Sequence, residues 1–306
     1  MLTCKKMIFP NNWLYLLPIL LIMVSCNSNY ITSHNSVAKS NTELEESNNS
    51  VKVGDKSITY NGVTFSYDES LRTIIIPEQT ENSPLKKEND KPDSIFSSHV
   101  LFHFKGEYGE VFKNSFFSPE LHIYPISEYR KQFSVSKKQL AAFDTKISEL
   151  RKALAEKPLV IDKKVPFVEY VDASQVFHAH LRYTTFADGE GLWFLTQYDI
   201  EPSLINNQGL TYIFQGISKD NRYYISATFP VSLPLLPKSF ETTKFENYEL
   251  PLEFFSENKK QYSDNQEKYD RYISEIQTKL QNTPPQNFEP NLQYFQKIIT
   301  SLKIKD

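Results

Sequence analysis

Three tight-turn signals, each set between runs of alternating apolar residues, restrict this chain to folds built on antiparallel strands. Residues 58–60 and 63–65 flank Asn61-Gly62, a pair that takes the positive φ angles of a two-residue hairpin turn. Residues 176–186 and 192–198 flank Asp188-Gly189, and residues 209–217 and 222–231 flank Lys219-Asp220-Asn221. Such short connections join antiparallel neighbours, because a parallel pair needs a crossover of about a dozen residues or more. Further strands are expected at 71–76, ended by Pro77, at 96–104 and at 120–124 before Pro125. In the second of these Val100, Phe102 and Phe104 point to one face and His99, Leu101 and His103 to the other.

Helical periodicity appears three times. Ser136 is placed to cap a helix whose Leu140, Phe143, Ile147, Leu150 and Leu154 share a face and which Pro158 stops. Tyr269, Ile273, Ile276 and Leu280 mark a second helix. A third starts near Pro290, a favoured first-turn residue, and carries Leu292, Phe295, Ile299 and Leu302. Residues 79–93 are too polar for a core element and read as a loop. The expected fold class is α+β: an antiparallel sheet built from hairpins, covered by one mid-chain helix and two C-terminal helices.

Placement is written in the first 26 residues. Lys5 and Lys6 precede an apolar run of 12 residues, 13–24, and Val24-Ser25-Cys26 closes it. The run is far short of the ~20 residues a helix needs to cross the hydrocarbon core, and it has the length of an export-signal h-region. Met23-Val24-Ser25-Cys26 resembles the lipobox of bacterial lipoproteins. That resemblance implies cleavage before Cys26, a diacylglycerol on its sulfur and often an acyl chain such as palmitate on its amine. One chain binds a membrane only marginally, and two or three anchor it. The expected organisation is a signal peptide over 1–25, acylated Cys26 with an Asn- and Ser-rich tether over 26–51, and a single α+β domain over 52–306. The domain would then sit in the cell envelope, outside the cytoplasm.

Two further resemblances concern the domain. Leu195-Thr196-Gln197-Tyr198, Tyr212-Ile213-Phe214-Gln215-Gly216 and Tyr223-Tyr224-Ile225-Ser226-Ala227 are similar to segments of uncharacterised bacterial envelope lipoproteins. This implies envelope placement and no chemistry. The Gly62-Val63-Thr64-Phe65-Ser66 opening and the Ile298-Ile299-Thr300-Ser301-Leu302-Lys303-Ile304 ending resemble PsbP-like α-β-α sandwiches, which implies a fold alone.

Composition narrows the chemistry. The only cysteines are Cys4, which leaves with the signal, and Cys26. The mature domain therefore has no thiol for catalysis, zinc or a disulfide. The formal net charge of −3 loses Lys5 and Lys6 on processing and becomes −5, a balance that gives no electrostatic reason to expect nucleic acid.

His178-Ala179-His180 sets two imidazoles on one strand face, about 6–7 Å apart, and His99, His103 or His122 would supply a third zinc ligand. Arg182 and Thr184 continue that face, which favours a polar strand surface, so no residue is taken as a metal ligand. Asp188, Glu190 and Asp199 read as turn and surface carboxylates in preference to an acid–base pair. Ser174, Ser203 and Ser226 lack a nucleophile turn, and no glycine-rich phosphate loop is present. No catalytic residue and no cofactor is expected.

Trp193, Tyr198, Tyr212, Tyr223 and Tyr224 crowd the two long hairpins, where they either pack across strands or form a binding surface. They are the candidate surface. The expected function is a membrane-anchored lipoprotein with a non-enzymatic binding or interaction domain and an envelope protein partner. Small-ligand or glycan binding is the alternative, and a metal-dependent hydrolase is the third reading.

Overall fold

The computed structural model describes residues 54–82, 97–134, 136–161, 164–250 and 259–305. The signal, Cys26, the tether and most of the 79–93 loop lie outside them. By its contacts the chain divides into Met1–Ser50 and Val51–Asp306, and everything described belongs to the second unit.

Two antiparallel meanders make one seven-stranded sheet. The first is β3 (Thr73–Gln79), β4 (Val100–Lys105) and β5 (Glu120–Pro125). The second is β6 (Ser174–Phe186), β7 (Gly189–Asp199), β8 (Thr211–Ser218) and β9 (Tyr223–Pro230). They join where β5 pairs with β9, which gives the order β3-β4-β5-β9-β8-β7-β6 with antiparallel pairing throughout. The N-terminal hairpin, β1 (Asp55–Tyr60) and β2 (Val63–Asp68), forms a second small sheet with β12 (Lys303–Ile304). Asn61 and Gly62 do take positive φ, 43° and 78°, as their turn requires. A third, two-stranded ladder joins β10 (Lys244–Phe245) to β11 (Tyr248–Glu249).

Helices cover both faces of the large sheet, so the domain is α+β as expected. On one face α2 (Ile126–Gln132) and α3 (Lys137–Glu156) bury Tyr129, Phe143, Ile147, Leu150 and Leu154 against Leu192, Phe194, Ile213 and Tyr224. On the other, α1 (Gly106–Val111), α4 (Lys259–Asn282), α5 (Leu292–Thr300) and the N-terminal hairpin pack on Phe102, Phe104, Ile123, Trp193, Phe214 and Phe229. Period-2 alternation along β7, β8 and β9 feeds both cores at once, as strands covered on both faces must. Ser136 Oγ accepts from the Gln139 amide at the start of α3, and Lys157 ends it in the left-handed region. Among the described residues no helix is long and apolar enough to cross a membrane.

Several boundaries differ from the sequence reading. Pro77 lies inside β3, where it is tolerated because β3 is an edge strand and needs no second ladder partner. Leu71 belongs to a single 3-10 turn, Glu69–Leu71, before that strand. Gly189 is the first residue of β7, which leaves Ala187-Asp188 as the hairpin loop. The cap of α5 is Asn291, whose side chain accepts from the Gln293 amide, so Pro290 precedes the helix. The short helices α1 and α2 were not expected. Six or seven residues span under two turns and display no readable period.

Candidate functional site

The five aromatic residues proposed as a surface are mostly core. Trp193, Tyr198, Tyr212 and Tyr224 are at most 5% exposed, and Tyr223 is half-buried. The correction follows from the helices on both faces: neither side of β7 to β9 is left for a partner. Trp193 stacks on Tyr212 with centroids 4.5 Å apart and planes at 14°, inside the layer beneath α5.

The His178–His180 pair is also undone. The β6–β7 register shifts between Ala179 and Arg182, and His180 takes φ 51°, a bulge that turns the strand between the two imidazoles. His180 Nε2 donates to the Leu280 carbonyl of α4 at 2.8 Å, and its amide donates to Gln281 Oε1. His178 pairs opposite Thr196 on the α3 face of the sheet. The two rings therefore lie on opposite faces. Among the described residues no set of three His, Cys, Asp or Glu is arranged to hold a metal ion.

The carboxylates have structural partners. Asp188 accepts from the Ile304 amide at 2.8 Å, Glu190 pairs with Lys157 at 2.9 Å, and Asp199 accepts from the Ser203 hydroxyl. Ser226 is fully buried in β9.

Of the polar groups that do converge, the sequence offers only His99, His103 and His122, as third zinc ligands. His99 and His103 sit two apart on either side of Leu101, Glu120 and His122 alternate on β5, and the β4–β5 register sets Leu101 against His122 and His103 against Glu120. A continuous row results. His99 Nδ1 lies 2.6 Å from the Ser97 carbonyl and 2.7 Å from Thr80 Oγ1. His99 Nε2 lies 2.9 Å from His122 Nδ1, and His122 Nε2 lies 3.2 Å from Glu120 Oε2. His103 bridges Glu120 Oε1 at 2.9 Å and Glu78 Oε2 at 3.3 Å, where the row reaches solvent. The Tyr124 hydroxyl is 3.0 Å from His122 Nδ1.

With Glu120 ionised, one set of donor and acceptor roles satisfies the whole row. A carbonyl only accepts, so His99 Nδ1 carries a hydrogen, and Nε2 of a neutral His99 is an acceptor. His122 Nδ1 must then donate to it. An ionised Glu120 accepts from the other His122 nitrogen, and in this assignment His122 carries both hydrogens as an imidazolium. The electrostatics agree. Burial, helped by the charge of His122, holds His99 down at about 4. His122 is raised: burial works against this, but the hydrogen bond to Glu120 and the charges of Glu169 and Glu120 prevail. Glu120 is lowered in turn, its burial outweighed by the bonds and charges of His122 and His103. Glu169, on the segment before β6, adds to the burial that pushes the Tyr124 and Tyr129 hydroxyls up.

This row resembles a nucleophile–base–acid relay only superficially. For Thr80 to be activated, His99 Nδ1 would have to take its proton, and that nitrogen already donates to Ser97. The arrangement instead holds a hydrogen between two imidazoles.

On the opposite side of the molecule's core layer lies a groove of about 760 Å3. Leu71, Tyr108, Phe112 and Phe288 form its buried apolar floor. Its walls carry Arg72, Glu107, Gln286, Asn287, Glu289 and Tyr294. Arg72 is already neutralised by Glu107 at 2.8 Å. The volume falls within the range of small-ligand clefts, and the groove is open to solvent. Sequence reading missed it because its walls come from segments more than 200 residues apart, the 70–72 turn and the 286–294 turn.

No family model matches this chain, and neither a curated protein nor a solved structure does.

Proposed function

We propose that this chain is an exported lipoprotein, anchored to an envelope membrane through acylated Cys26, and that its α+β domain is a non-enzymatic binding module. The observation that carries the placement is the run of Lys5-Lys6, a 12-residue apolar segment and Met23-Val24-Ser25-Cys26. The groove beside α5 supports the binding role. Its walls supply planar amide and carboxylate groups and the half-buried ring of Tyr294 over an apolar floor. With Arg72 paired to Glu107 and Glu289 nearby, the described lining of the groove offers no free cation for a phosphate. The same features favour a neutral, hydroxyl-rich ligand as the second reading, since amides and carboxylates bond hydroxyls while an aromatic face covers apolar ring surface.

Cross-linking on intact cells tests this. Wild type is expected to yield a bound species that Tyr294→Ala loses without losing thermal stability, and that Cys26→Ala loses by leaving the membrane. Equal recovery from Tyr294→Ala excludes the groove as the binding site.

A further inference from the structure

The His99–His122 contact does more than fill space. The two ring centroids are 5.0 Å apart with planes at 25°, and their nitrogens are 2.9 Å apart. The centroid separation exceeds the N···N distance by about one ring width, so the rings meet edge to edge along an in-plane N–H···N bond. That bond ties the residues entering β4 to β5, beside the hold from β3, where the Gln79 side-chain amide donates to Ser98 Oγ at 3.2 Å and to the His99 carbonyl at 3.1 Å. Among the described residues, the further ties of this segment to the exit of β3 are neutral. The Thr80 amide donates to the His99 carbonyl, the His99 amide to Thr80 Oγ1, and Thr80 Oγ1 to the Ser97 carbonyl, each at 3.0 Å. Asn82 Oδ1 accepts from the Ser98 amide at 2.7 Å and from Gln132 of α2 at 3.1 Å.

We propose that His99 and His122 form an acid-operated clasp: a proton held on His122 pins residues 80–82 and 97–99 to β5, and protonation of His99 breaks the pin and frees both segments. The chemistry is one of counting. A neutral His99 offers one lone pair, and the His122 imidazolium donates to it. A protonated His99 offers none, so two N–H groups and two positive charges face each other at hydrogen-bond distance in a largely dry site. His99 must leave, because His122 is held from behind by Glu120.

The charged and titratable groups around the clasp do not rescue it. On β5, Glu120 favours the extra proton but is already shared between His122 and His103. On β3, Glu78 reaches only His103. Tyr124 of β5, Tyr129 of α2 and Tyr224 of β9 are hydroxyls held neutral by burial. Glu169 favours the charge on His122 and acts on Lys146 of α3, whose ammonium donates to the Glu169 carbonyl. A protein whose domain faces the outside of a cell meets external acid directly, which gives such a clasp a stimulus.

Full chain labelled with 15N-histidine, in detergent, is the material for the test. At pH 7 one histidine should show two protonated nitrogens (His122) and its partner only Nδ1 (His99), assigned with His99→Gln and His122→Gln. Between pH 7 and pH 4, amide exchange of residues 80–82 and 97–99, corrected for its intrinsic pH dependence, should rise by roughly tenfold or more while β8 and β9 keep their protection. His99→Gln keeps an acceptor oxygen and cannot take the proton, so its exchange at pH 4 should stay near the pH 7 value. A neutral His122 at pH 7, or unchanged wild-type exchange at pH 4, overturns the proposal. So does a His99→Gln chain that opens as wild type does. If that variant fails to fold, the wild-type nitrogen shifts and exchange rates decide alone.

Discussion

At the scale of single residues, His99, His122 and Glu120 each tie stability to pH, with different signs. His99 is lowered from 6.5 to about 4. The unfolded chain takes up its proton below pH 6.5 and the folded chain does not, so stability falls as the pH drops from 6.5 to 4 and levels off beneath. The drop should be about 3 kcal/mol. His122 is raised, so its contribution is complete below 6.5 and fades as the pH rises through its folded value. Glu120 is lowered from 4.5, so its contribution is present above that value and fades as the pH falls through the folded one. Urea unfolding from pH 4 to 8 should show the cluster's contribution highest near 6.5, and His99→Gln should flatten the acid limb. Glu120→Gln leaves a buried imidazolium without its anion and should cost about 3 kcal/mol at pH 6.5 in the same measurement. The alternation of His99, Leu101 and His103 was legible in the sequence. That β5 would bring Glu120 and His122 beside them was not, because strand partners and their register are set by the whole sheet and no single strand displays them.

At the scale of elements, the hairpin turns, the α3 cap and the inward residues of the closing helices were readable because each is a local decision between neighbours in sequence. Where tertiary context decided, the reading failed. Pro77 ends nothing because β3 is an edge, and the bulge at His180 parts two histidines that ideal alternation would align. The aromatic hairpins became core because helices close both faces of the sheet, a fact about packing that composition does not carry. Two measurements probe this packing. A Cβ at Gly191 of β7 would lie 2.3 Å from Phe214 Cζ and 2.5 Å from the Gln215 carbonyl. Gly191→Ala should therefore destabilise the fold by about 1–3 kcal/mol in denaturant titration. Trp193 has no exposed surface. In the processed chain, where it is the only tryptophan, its emission should be blue-shifted in the native state, unmoved by a groove ligand, and red-shifted on unfolding.

At the scale of the whole molecule, a proposed export address precedes a closed α+β domain. The two meanders meet only where β5 finds β9, about a hundred residues apart, and α5 with β12 returns to the N-terminal hairpin. The groove is lined by the turn that leads into α5. Everything proposed about function depends on the domain being held outside the cytoplasm by Cys26. The most direct test is metabolic labelling with a fatty-acid analogue in a bacterial host, followed by membrane fractionation of wild type and Cys26→Ala. A labelled, membrane-bound wild type and an unlabelled variant released from the membrane are the expected result. Label retained on Cys26→Ala, or a wild type that is unlabelled and released, would contradict it.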